Sequence, residues 1–264
     1  MLTKPTFVIC PGAWPVREFF VPVQSAIESH GYPTAIHITD YSNIESSSPV
    51  NPDTASLRKE LQTQVEVQNK EIVLLMHSYG GAYGPSSILG FSLRERKTKG
   101  LKGGIVALIF FSAFVTRKGE SALSAQGMSL EDGVLPDWAH YDPETGLVEL
   151  TKARERLFHD FSDEEAKRLV DSLPKMPIAS FTSQAEYDPF EDEWYKGLFG
   201  YVFCGSDKML PIEAQRVYAE RAGVAVRVEK PGFSHTAHLE EPEELVECVL
   251  NVLKELVADE DLRK

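Results

Sequence analysis

Short apolar runs alternate along the chain with stretches whose apolar positions recur every three or four residues, a pattern that predicts strands joined by helices. Thr6–Cys10 (TFVIC) reads as a buried strand closed by Pro11-Gly12. A helix over Arg17–His30 stops at Gly31, and a strand follows over Thr34–Thr39. The stretch Tyr41–Asp53, rich in Ser, Asn and Pro, reads as a loop. Next come a helix over Thr54–Asn69, a strand over Glu71–Met76 and a helix over Gly81–Glu95. Gly104–Phe111 is apolar throughout, which suits a central strand covered on both faces.

From about Ala113 to Lys196 this alternation breaks down. Two stretches there look helical, Thr151–His159 and Asp163–Leu173, among loops carrying prolines and aromatics. The pattern then resumes with a strand over Leu198–Cys204, a helix over Pro211–Ala222, a strand over Val224–Glu229 and a closing helix over Pro242–Ala258, after which the charged last residues fray. The expectation is an α/β fold with a mostly parallel central sheet of about six strands. Residues 1–112 and 198–264 form its core, and 113–197 form an inserted, mainly helical cap.

Length and composition narrow the class without naming a function. A chain of 264 residues can bury a substantial core without metal or disulfide support. No apolar stretch approaches the ~20 residues of a membrane span, and the N-terminus lacks the apolar core of a signal peptide. Cys10, Cys204 and Cys248 are an odd set at unrelated spacings and read as reduced, buried thiols of a cytoplasmic protein. A net charge of −13 argues against nucleic acid or an anionic membrane as partner, and a homodimer stays open.

The chemistry concentrates in EIVLLMHSYGGAYG, residues 71–84. An apolar strand ends at His77-Ser78-Tyr79-Gly80-Gly81 and a helix begins at once, the arrangement of a nucleophile elbow around Ser78. The position two before the serine, usually small, is Met76. The elbow implies a Ser, then Asp or Glu, then His order. Asp207 follows the strand ending in Cys204, and His235 lies in the loop beyond the final strand. All three stand past the carboxyl ends of strands, where open parallel sheets bind ligands. A serine hydroxyl needs a base to take its proton during attack, a task suited to His235, with Asp207 orienting the imidazole. The tetrahedral oxyanion needs two preset donors, expected from the backbone N–H groups of Tyr79 and Ala13.

Plainer readings stand beside these. Ser78 could sit on a packing or phosphate-binding turn, but neither Gly-Lys-Ser/Thr nor G-x-G-x-x-G is present. Asp207 could be a turn residue or a cap before Pro211. His238 competes with His235, and the two at i, i+3 without a third ligand make a weak metal pair, so no metal is expected. His77 reads as packing, and His140 and His159 as cap surface. Trp14, Phe111, Trp138 and His238 are the candidate pocket residues, with Tyr83 and Trp194 as further aromatics. The acidic run Glu240–Glu244 suits a helix start.

The segments FVICPGAW, VLLMHSYGGAYG, FCGSDKMLP and GFSHTAHLEEPEEL, in that order, resemble the small esterase group of α/β-hydrolases. That group includes plant methyl esterases, hydroxynitrile lyases and microbial relatives. LFHDFSDEEAKRLVDSLPKMPIASF is similar to the cap of bacterial and fungal members. The resemblance implies a core lacking the first two strands of longer forms, and a histidine seven residues before the helix-opening proline, which matches His235 and Pro242. It also places His238 where an apolar pocket residue is common. Two departures are Pro11-Gly12 where His-Gly is usual, and Ser234 where Gly precedes the histidine. The expected activity is cofactor-free hydrolysis of a small or medium hydrophobic carboxylic ester through an acyl-enzyme. Alternatives on the same scaffold are cyanohydrin cleavage, for which the resemblance implies a cap lysine (Lys175 or Lys196 here), C–C bond hydrolysis, a natural-product tailoring step, and a slow-turnover small-molecule receptor.

Overall fold

A computed structural model describes residues 4–42, 48–132 and 136–258. Residues 43–47 of the expected Tyr41–Asp53 loop and the charged residues 259–264 lie outside the described residues. The core follows the expected alternation: β1 Thr6–Cys10, α1 Arg17–Ser29, β2 Thr34–Ile36, α2 Pro52–Gln62, β3 Glu71–His77, α3 Gly80–Ser86, α4 Leu93–Thr98 and β4 Gly104–Phe111. The cap then supplies β5 Ala139–Asp142, β6 Leu147–Leu150, α5 Ala153–Arg156, α6 Asp163–Asp171, β7 Met176–Pro177 and α7 Ala179–Thr182. Core elements return with β8 Phe199–Cys204, α8 Ile212–Arg221, β9 Val226–Lys230, α9 Ala237–Glu240 and α10 Pro242–Ala258.

The six core strands run parallel in the order β2-β1-β3-β4-β8-β9. Chain order reverses direction at β1, so the loops leaving β1 and β3 diverge and open a crevice at the carboxyl edge. Side chains alternate across this sheet. Val8, Cys10, Leu74 and Met76 join the core on one face, and Phe7, Ile9, Val73 and Leu75 that on the other, under α1 and α10. The first core continues without a gap into the cap through Val148, Met176, Ile178 and Phe181.

Three expectations change. The single helix over Gly81–Glu95 is two, because Gly90 turns into the left-handed region (φ 80°) and Ser87 donates its hydroxyl back to the Tyr83 carbonyl at 2.8 Å. The helix expected from Thr54 begins at Pro52, where the Asn51 side chain accepts from the Asp53 and Thr54 amides at 2.9 and 3.1 Å. The cap is not purely helical: β5, β6 and β7 pair antiparallel, Ala139 opposite Leu150 and Val148 opposite Met176. Among the described residues no helix is long and apolar enough to cross a membrane.

Candidate active site

β3 hands over to α3 through two residues, Ser78 and Tyr79, with Ser78 held at φ 51°. That left-handed backbone costs a serine about 1–3 kcal/mol, which the surrounding structure must supply. It does so by close approach. A Cβ on Gly80 would fall 2.1 Å from the Cys10 carbonyl oxygen, so the elbow can press against the end of β1 only with glycine there.

Asp207 and His235 meet across the loops after β8 and β9, with His235 Nδ1 2.8 Å from Asp207 Oδ2. Asp207 is buried, and its other oxygen accepts the Met209 and Leu210 amides at 2.7 and 2.8 Å. His235 is braced on its backbone as well. His77 Nε2 bonds the His235 carbonyl at 2.9 Å, Thr236 donates to the cap carbonyl of Leu157 at 2.9 Å, and Ser234 donates to Glu240. The acidic run at 240–244 therefore does more than begin a helix. Ser78 and His235 line the same cavity, and no hydrogen bond joins Ser78 Oγ to His235. Ligand-free sites often hold this contact open until substrate binds.

Ser112 completes the cluster and is absent from the sequence-based candidates. It follows β4 as Ser78 follows β3, also with positive φ (44°), and donates to Asp207 Oδ2 while lying 3.0 Å from His235 Nδ1. Its place immediately past a buried strand is all that the sequence offers, and that alone points to no partner.

Neither the Ala13 nor the Tyr79 amide has an acceptor among the described residues, and both residues line the cavity beside Ser78. The loop carrying Ala13 rides close over the elbow, since a Cβ on Gly12 would meet His77 Nδ1 at 2.9 Å and Ser78 Cβ at 3.0 Å. Trp14, at φ 55°, is tied to the cap: its amide faces Met176 Sδ at 2.7 Å and its indole N–H donates to the Val148 carbonyl at 3.1 Å. Pro11, in place of the usual histidine, accepts the Tyr83 hydroxyl at 3.2 Å.

The cavity together with the open solvent at its mouth spans about 1080 Å³. Its walls are mostly aromatic and aliphatic, with Trp14, Phe114, Trp138, Phe158 and Phe181 prominent, and among the described residues no Lys, Arg, Asp or Glu lines it. Trp138 and His238 line it. Phe111 does not: it is fully buried and stacks on His77 at 4.7 Å, because the last residue of a central strand points into the sheet's packing layer. Tyr83 also lies outside the lining, and Trp194 is exposed. His140 is at the surface, but His159 is not; its side chain is 7% exposed and pairs with Asp160 at 3.1 Å. Lys175 pairs with Glu149 and Lys196 with Glu193, both away from the cavity. Among the described residues no group of three His, Cys, Asp or Glu could hold a metal.

Three imidazoles pack together here, His77 lying 4.7 Å from His235 and 4.6 Å from His238 between ring centroids. Burial, then the neighbouring His238 and His235, hold His77 well below the ordinary histidine value. Burial, then His235, bring His238 down to about 3. Both are therefore neutral at physiological pH.

Behind the elbow, Asp53 at the start of α2 accepts three hydroxyls: Tyr79 at 2.8 Å, Tyr41 at 2.6 Å and the cap residue Ser180 at 2.8 Å. Asn51 bridges the same groups, donating to the Tyr79 oxygen and the Ser180 carbonyl at 2.9 Å each. Burial, with Asp53 next, pushes the Tyr79 phenol well above its usual range, so it stays a donor.

Residues 7–248 match the Alpha/beta hydrolase family. A probable hydrolase from Phoma sp. is 24% identical over 255 residues, 94% of this chain and 98% of that protein. Salicylic acid-binding protein 2 of Nicotiana tabacum is 26% identical over 261 residues, 92% of this chain and 93% of its own length. Among solved structures, polyneuridine aldehyde esterase superposes with a TM-score of 0.70 at 18% identity, covering 95% of this chain and 99% of that one. A methylesterase from Arabidopsis gives 0.67 at 15% identity, with 95% and 99% coverage.

Proposed function

The chain belongs to the Alpha/beta hydrolase family, and from that premise we propose that it is a serine hydrolase cleaving a small or medium hydrophobic carboxylic ester. The observation carrying this reading is the Asp207–His235 pair, 2.8 Å apart, beside a serine held at φ 51° on the wall of an uncharged, aromatic cavity.

Ser78 Oγ attacks the ester carbonyl carbon as His235 Nε2 takes its proton. Asp207 accepts from His235 Nδ1, fixing the tautomer and stabilising the imidazolium without taking the proton. The carbonyl oxygen becomes an oxyanion received by the Tyr79 and Ala13 amides, each such donor being worth about 3 kcal/mol in the transition state. The C–O bond to the alcohol then breaks, and the alcohol leaves with the proton from His235. Water, deprotonated by His235, attacks the Ser78 acyl ester and releases the carboxylic acid. No cofactor enters any step.

The cavity favours neutral substrates, since a charged acyl or alcohol group would lose its hydration among aromatic walls without a counter-charge. Cyanohydrin cleavage ranks lower because Lys175 and Lys196 are both engaged outside the cavity.

Labelling by a fluorophosphonate probe tests the assignment. Wild-type protein reacts stoichiometrically and Ser78→Ala does not react. Undiminished labelling of Ser78→Ala would remove the assignment.

A further inference from the structure

His238 is a polar side chain in a place that packing alone would give to a hydrocarbon. It is 2% exposed, lies flat on Phe20 (ring centroids 4.3 Å, interplanar angle 11°), packs on His77, and lines the cavity. A phenyl ring would stack there equally well. The imidazole instead carries a cost, because its Nδ1 is sealed from solvent with no hydrogen-bond partner. Nε2 makes no hydrogen bond either, but it is not among the sealed, unpartnered atoms, which leaves it as the ring nitrogen open to the cavity.

We propose that His238 is a specificity-determining residue whose Nε2–H donates to an uncharged acceptor oxygen on the substrate, so that the preferred ester carries a second neutral oxygen besides the scissile group. This rests on the hydrolase reading given above. The tautomer follows from the surroundings. In a neutral ring one nitrogen bears the proton, and placing it on Nδ1 would bury an N–H with no acceptor, whereas on Nε2 it meets ligand or water in the cavity. A ring held neutral by burial donates as a dipole rather than as a cation, in keeping with a cavity that no charged side chain lines among the described residues. Gln126 is the one side-chain amide among the described lining residues, and one N–H of its Nε2 is engaged by the Ala122 carbonyl at 2.9 Å. The substrate class is thus an uncharged ester bearing an ether or carbonyl oxygen at one defined distance from the ester carbon.

An oxygen scan decides this. In 4-nitrophenyl hexanoate each chain methylene beyond the one bonded to the carbonyl is replaced in turn by an ether oxygen, and in hexyl acetate the same is done along the alcohol beyond its first two methylenes. Ratios of kcat/KM, ether over hydrocarbon, are compared between wild type and His238→Met, which cancels the intrinsic reactivity of each ester and any general loss in the variant. One position should stand out by about fivefold or more in wild type, the worth of one neutral hydrogen bond. That preference should vanish in His238→Met and return in part in His238→Gln, which restores a donor. If His238→Met does not fold, the comparison is made with His238→Gln and His238→Phe. A scan with no preferred position, a preference that survives in both non-donor variants, or a preference for hydroxyl over ether would each overturn the proposal. The hydrolase reading fails separately, through absence of fluorophosphonate labelling at Ser78.

Discussion

Ser112 Oγ lies 3.0 Å from His235 Nδ1 while donating to the Asp207 oxygen that the imidazole itself meets. One carboxylate oxygen thus serves two donors, and the hydroxyl wedges the pair in register from the end of β4. Asp207 keeps the Met209 and Leu210 amides and His235 when Ser112 is removed. Ser112→Ala should therefore lower kcat/KM only about two- to tenfold, the worth of one hydrogen bond, with little change in Tm. A loss as deep as that of Asp207→Asn would mean that Ser112, not Asp207, orients the base.

Gly80→Ala tests the elbow from the opposite direction. Its Cβ would sit 2.1 Å from the Cys10 carbonyl oxygen, and both groups are backbone-anchored, so neither can rotate away. The expected cost is on the order of 3 kcal/mol or more, read as a drop in denaturant midpoint or as insoluble protein. Native stability in Gly80→Ala would mean that β1 and the elbow are not in contact.

Asp53 joins the elbow, α2 and the cap through Tyr79, Tyr41 and Ser180. Asp53→Ala takes the acceptor from the Tyr41 and Ser180 hydroxyls, while Tyr79 keeps the Ser180 carbonyl at 2.8 Å, and should cost roughly 2 kcal/mol, whereas Ser180→Ala removes one donor and should cost about 1. Both are read by urea denaturation. Equal effects would show that the carboxylate is not the hub.

The sequence exposes most where physics acts locally. β1 is an apolar run bounded by Pro5 and Pro11, β4 opens at Gly104 and α10 at Pro242, and the structure keeps the expected ranges of all three. The strands β5 and β6 escaped because each spans four residues, AHYD and LVEL, too few for an alternation to declare itself. Asp207 and His235 could be singled out from chain order and strand-end position, and the structure sets them 2.8 Å apart. Ser112 and Asp53 were not, since their meaning lies in partners 95 and 127 residues away, Asp207 and Ser180. Nothing near either residue announces a buried acceptor or its donors.

The imidazole cluster makes stability depend on pH in a direction that can be worked out. His238 is lowered by burial, then by His235, from an ordinary 6.5 to about 3, and His77 is lowered well below 6.5 by burial and its two neighbours. Above about pH 6.5 these rings are neutral in both folded and unfolded chains, so they contribute no slope there. As pH falls below 6.5 the unfolded chain takes up protons that the folded one refuses, and stability is lost progressively towards pH 3. Each ring contributes up to about 1.4 kcal/mol per pH unit, which for His238 alone amounts to roughly 2 kcal/mol by pH 5. Unfolding free energies measured by urea from pH 8 to pH 4.5 should therefore be flat at first and then fall, with the falling limb shallower in His238→Met. An unchanged slope in that variant would mean that His238 is charged or solvated in the folded protein, and its neutral donor role would go with it.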